Sequence, residues 1–145
     1  YCCHPVSGFL YKNVYQYYEE TSRILSSYGY TVLNPLLGKG ILVEEEELKS
    51  SGYEYSIIKD HAIFNRDRWM VKQSDIVFAN LTEAKKVSIG TMMELAWAYD
   101  RGKHVVVCMQ EDNIHSHAFV NGAAHIIFSE YNQAMDYFRE LISKK

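Results

Sequence analysis

The chain has 145 residues, enough for one domain and too few for two of ordinary size. Apolar types make up 48% and charged types 23%, the balance of a globular protein rather than a disordered or low-complexity one. Fifteen Lys and Arg against eighteen Asp and Glu give a formal net charge of −3, which leaves no basic footprint for a nucleic acid or an anionic membrane.

No apolar run approaches the roughly 18 residues of a membrane span. Cys2, Cys3 and Cys108 fit neither a disulfide framework nor a metal-site spacing. They point to buried thiols in a reducing, cytoplasmic setting. Twelve tyrosines suit amphipathic core edges or contacts to a flat polar ligand. The chain opens on Tyr1 without Met or an apolar signal segment, so native residues are expected before it.

In chain order, Tyr1–Cys3 is the end of a strand running into the turn His4-Pro5-Val6-Ser7-Gly8. From Leu10 to Tyr28, Val14, Tyr17, Thr21, Ile24 and Leu25 recur at helical spacing, and Gly29 caps the segment. Tyr30–Leu33 is a short apolar strand stopped by Asn34-Pro35. Gly38 to Gly52 carries the acidic run Glu44–Glu47, a solvated loop or helix start. A helix is expected from about Tyr53 to Gln73, then the strand Ile76–Ala79. The loop Asn80–Ser88 leads to a helix over Gly90–Arg101 with Gly102 as its cap. Lys103–Met109 is a continuous apolar strand, Asn113–Asn121 a short helix, His125–Phe128 a strand and Asn132–Ser143 the last helix.

Five apolar strands separated by helices, with no hairpin signal, predict a single α/β domain over residues 1–145. Right-handed crossovers make it a Rossmann-like three-layer sandwich with a five-stranded parallel sheet. Ligands of such folds sit beyond the carboxyl ends of the strands, which singles out His4–Leu10, Asn80–Ser88 and Gln110–His117.

The sharpest chemical feature is Ser88-Ile89-Gly90-Thr91-Met92-Met93-Glu94. Gly90 permits close backbone approach of a ligand, and Glu94 falls early in the helix. A Glu there also suits the helix dipole. Asp67 shares a helix face with Met70 and Val71, an expensive place for an acid unless it is paired or functional. Two carboxylates at one pocket suit displacement at an anomeric carbon: one attacks, while the other, protonated, serves the leaving group. Tyr1, at the end of the first strand, can hold the attacking carboxylate. His117 follows the fourth strand on the ligand side, and the six histidines form no metal-ligand set. There is no Gly-x-Gly-x-x-Gly, Walker or nucleophile-elbow pattern.

Ser74-Asp75-Ile76-Val77-Phe78-Ala79-Asn80-Leu81-Thr82, followed by Gly90-Thr91-Met92-Met93-Glu94-Leu95, Ala98 and Gly102-Lys103, resembles the nucleoside 2-deoxyribosyltransferase superfamily. The resemblance covers nearly the whole chain and implies a flavodoxin-like fold. It implies that Glu94 is the nucleophile toward C1′, that Asp67 is the acid eight residues before Asp75, and that Tyr1 lies near the nucleophile and the sugar 2′ position. It also implies a homodimer in which His117 reaches the 5′ end of the substrate in the neighbouring subunit.

One position departs from the transferases, which carry Asp where this chain has Ser88. Ser there resembles the branch of nucleoside 5′-monophosphate N-glycosidases. Like charges about 4 Å apart at an effective dielectric near 20 repel by roughly 4 kcal/mol, so an Asp would oppose a 5′-phosphate. A Ser hydroxyl beside helix N-terminal amides would welcome it. Some phosphate-accepting relatives have Arg where this chain has Ser7, so the anion would rest on Ser7, Ser88, Gly90 and His117, with help from Lys12.

The expectation is therefore a cofactor-free hydrolase acting on a (2′-deoxy)nucleoside 5′-monophosphate, with no metal. A deoxyribosyltransferase on unphosphorylated nucleosides, a non-catalytic nucleotide-binding module and a flavodoxin-like electron carrier are the alternatives.

Overall fold

The structure is a computed structural model that describes residues 1–143. Its elements are β1 (Cys2–Cys3), α1 (Tyr11–Ser27), α2 (Asp60–Gln73), β2 (Ile76–Asn80), α3 (Ile89–Asp100), β3 (His104–Cys108), α4 (Ala118–Ala123), β4 (Ile126–Phe128) and α5 (Tyr131–Leu141). Two 3-10 turns, Gly40–Glu44 and Ser56–Ile58, lie between α1 and α2. The strands form one parallel sheet in the order β1-β2-β3-β4.

The apolar strands split by residue parity between two cores, because successive side chains point to opposite faces. Cys2, Phe78, Val106 and Cys108 pack with Val14, Tyr18 and Leu25 of α1 and Ala134, Met135 and Phe138 of α5. Cys3, Val77, Ala79, Val105 and Val107 pack with Met70 and Val71 of α2, Leu95 and Ala98 of α3, and Val120 of α4. Both faces are covered, which is why the central strands carry no polar alternation. Each Val, Leu, Met or Phe side chain so buried stabilises the fold by about 1.5–3 kcal/mol. All three cysteines are buried and free.

The sheet has four strands among the described residues, not five. Tyr30–Leu33 lies beside β1, where the Cys2 N–H donates to the Leu33 carbonyl at 2.9 Å, but no ladder forms. Asn34 ends the run by accepting the Leu36 N–H on its side chain at 2.9 Å, and Pro35 has no N–H to donate. The expected helix over Tyr53–Gln73 is confined to α2 with a single 3-10 turn before it. The short helix also begins late. Asn113 turns the preceding chain by donating to the Leu81 carbonyl at 2.8 Å and accepting from the His115 N–H at 3.0 Å. No described helix is long and apolar enough to cross a membrane.

Candidate active site

Loops at the carboxyl ends of β1 and β2 meet the chain between α1 and α2 around a cavity of about 500 Å³. Gly8 turns the first loop with φ +83°, and the segment before Lys49 locks against it through Gly8 N–H to Leu48 O (2.8 Å) and Leu48 N–H to Phe9 O (2.9 Å).

Helix α3 enters the cavity at its N-terminus. Ser88 is the N-cap, its Oγ accepting from the Thr91 N–H at 3.4 Å and lying 3.0 Å from the Thr91 hydroxyl. Glu94 sits on the buried stripe of α3 with Thr91, Leu95 and Ala98, facing the sheet where an apolar residue would be expected. Its Oε1 accepts a 2.6 Å hydrogen bond from the Tyr1 hydroxyl. Burial lifts the Glu94 carboxyl to about 7, with the Asp67 charge adding to the rise and the Tyr1 and Cys3 side chains opposing it.

Asp67 comes from α2 and is paired with a residue the sequence did not single out. The Lys39 ammonium stands 3.2 Å and 3.3 Å from the two Asp67 carboxylate oxygens. Their side chains are 7% and 13% exposed, so the pair is almost dry. Burial pushes Asp67 up and Lys39 down, and their mutual attraction opposes both shifts. The left-handed Gly38 (φ +73°) delivers Lys39 to this position.

Glu94, Asp67, Ser88, Gly90 and Ser7 all line the one cavity, with Tyr1 held behind Glu94. His117 does not join them. It is the exposed N-cap of α4, stacked on Phe119 at 5.6 Å, and lines a second cavity of about 640 Å³ with Met92 and Tyr99.

Three further residues escaped the sequence reading. Lys85 and Lys86 line the first cavity beside Ser88, within the loop expected to carry ligand contacts. His115 is buried, and its Nε2 accepts the Ser88 N–H at 2.8 Å. This fixes the proton on Nδ1, which donates to Asn113 Oδ1 at 3.0 Å. The Ser88 amide is thereby used internally, and only its hydroxyl remains for a ligand.

A profile of the nucleoside 2-deoxyribosyltransferase family matches residues 6–137, most of the chain and every element from α1 to α4. The chain belongs to this family. Nucleoside 2-deoxyribosyltransferase relatives are enzymes that act on small nucleosides or nucleotides. Among solved structures, the chain is similar to the CMP N-glycosidase BcmB of Clostridium botulinum. The TM-score is 0.57 at 17% identity, over 90% of this chain and 89% of that one, a likeness of fold. No curated protein matches the sequence.

Proposed function

We propose that this nucleoside 2-deoxyribosyltransferase relative hydrolyses the N-glycosidic bond of a (2′-deoxy)nucleoside 5′-monophosphate. Glu94 attacks C1′ to form a glycosyl ester, and the electron pair of the broken bond leaves with the base. A proton from the Asp67 side of the cavity neutralises that base. Water then attacks C1′, gives up a proton to the same side, and releases Glu94 and the sugar 5-phosphate. The ionised form of Glu94 is the nucleophile, and the Tyr1 hydroxyl orients it.

The convergence of a buried carboxyl, Glu94, and a mostly buried one, Asp67, on a cavity of nucleotide size carries this reading. The 5′-phosphate is favoured by what surrounds Ser88: a neutral hydroxyl at the N-terminus of a 12-residue helix, Ser7 across the loop, and the ammonium groups of Lys85 and Lys86. The structural neighbour BcmB, a CMP N-glycosidase, agrees in kind. We assign no cofactor, because the carboxylates and the water supply every bond change.

The active form is proposed to be a homodimer. Tyr99 and Phe119 are 56% and 84% exposed in the lining of the second cavity, an apolar surface suited to a second copy. That contact would bring His117 toward the partner's phosphate end.

Membership of a transferase family keeps one rival in play, transfer of the sugar to a second base. Ribo- and deoxyribonucleoside monophosphates and the matching nucleosides, each with and without a free acceptor base, separate the two. Release of base from monophosphates without an acceptor is expected. Efficient exchange on unphosphorylated nucleosides, with monophosphates inert, overturns the proposal.

A further inference from the structure

A buried carboxylate that must deliver a proton is poorly served by a permanent cation beside it, since the cation favours the ionised form. Asp67 nevertheless stands 3.2 Å from the Lys39 ammonium inside the proposed active cavity. The other charged groups acting on this pair are Arg66 of α2 and Glu94 of α3. A lysine here is costly to bury, and a solvent-facing loop such as 36–40 gives no packing reason for it.

We infer that Lys39 stores the proton that the leaving base receives, passing it through Asp67. The inference rests on the N-glycosidic reading and deepens it. In the resting cavity the proton sits on Lys39 and Asp67 is ionised. As the C1′–N bond breaks and the C1′–O bond to Glu94 forms, the base takes a proton from Asp67, which draws one from Lys39 along the existing hydrogen bond. Lys39 is left as a neutral amine and Asp67 as a carboxylate. When water attacks C1′, its proton returns through Asp67 to Lys39, and Glu94 leaves as a carboxylate. Protons and charge balance over the cycle with water as the only co-reactant.

Lysine is suited to this work and arginine is not. A buried lysine amine exchanges its proton readily, whereas a guanidinium stays charged. Lys39 acts through Asp67, so it is a positioning and proton-supplying residue rather than one that touches the sugar.

The test compares Lys39→Met and Lys39→Arg on two substrates: the best monophosphate of the panel, and p-nitrophenyl 2-deoxyribose 5-phosphate, whose leaving group departs as a stable anion. With the monophosphate, both variants should lose about 100-fold or more in kcat, but less than about fivefold with the aryl substrate, since only the former needs general acid help. Circular dichroism and thermal melting establish that each variant is folded. Lys39→Arg within about threefold of wild type on the monophosphate overturns the inference, because a fixed charge would then suffice. Equal losses on both substrates by a folded variant overturn it too. Wild-type protein inert toward every monophosphate and nucleoside would instead sink the N-glycosidic reading, and this inference with it.

Discussion

The Tyr1 hydroxyl donates to Glu94 Oε1 at 2.6 Å, joining residues 93 positions apart behind the cavity wall. This bond works against burial, which lifts the Glu94 carboxyl to about 7. The ionised form of Glu94, the proposed nucleophile, therefore gains population as pH rises through neutrality, and kcat/KM should rise with it. A hydrogen bond to a charged acceptor contributes about 1.5–3 kcal/mol, equivalent to about one to two pH units. Tyr1→Phe should shift the acidic limb of the pH profile upward by that amount and lower kcat/KM roughly tenfold at pH 7. Most of the rate should return at pH 9. A uniform loss at all pH values would show that Tyr1 merely packs.

Glu94→Gln removes the proposed nucleophile, and turnover should vanish. The same change should stabilise the ligand-free protein. A carboxyl whose folded pKa is raised contributes most below its unfolded value near 4.5, and that contribution is lost as pH rises through about 7. Above pH 7 the variant should gain on the order of 3 kcal/mol, read as a higher Tm than wild type, with little difference at pH 4.

Ser88→Asp tests the phosphate end without disturbing the helix, since Asp caps an N-terminus as well as Ser does. Repulsion of roughly 4 kcal/mol at contact would lower kcat/KM for monophosphates by up to about 1,000-fold. Unphosphorylated nucleosides should be affected far less. An unchanged ratio between the two substrate classes would place the phosphate elsewhere.

His115 accepts the partly buried Ser88 N–H on Nε2, and burial lowers its pKa. A histidine with a lowered folded pKa contributes stability above its unfolded value near 6.5 and loses it as pH falls through the folded value. Urea melts should therefore show stability declining below about pH 6.5. His115→Gln, which keeps an acceptor, should flatten part of that decline. His115→Ala strands the donor and should cost about 1–3 kcal/mol at neutral pH.

Phe119→Asp addresses the proposed dimer. If the exposed face on α3 and α4 meets a second copy, the variant should sediment as a monomer and lose monophosphate turnover. A wild-type protein that is monomeric and active at micromolar concentration would remove His117 from the site.

The fold was readable wherever the chain is apolar without interruption. Val105-Val106-Val107 and Ile76-Val77-Phe78-Ala79 have to be covered on both faces, and both are central strands. Tyr30–Leu33 has the composition of a strand but sits at the edge with one backbone bond, and composition does not encode a missing neighbour. Glu94, Asp67 and Ser88 were legible because an acid or hydroxyl on a helix face or cap departs from the pattern around it. Lys39 had no such contrast. It lies between Gly38 and Gly40 in a segment with no helix or strand period, where a lysine is ordinarily solvated, and only the folding of that loop over α2 reveals its partner. His115 was hidden for a related reason: what it contacts is a backbone amide, which leaves no trace in the identity of Ser88.

Ser88 and Glu94 are six residues apart on one uninterrupted helix, so they are separated by about 9 Å along its axis. On the proposed reading the hydroxyl and the carboxylate act as two jaws, both mounted on one rigid helix rather than on mobile loops. A furanose with one exocyclic carbon should span them, and a sugar phosphate lengthened by another carbon should be refused even when its base and anion are unchanged.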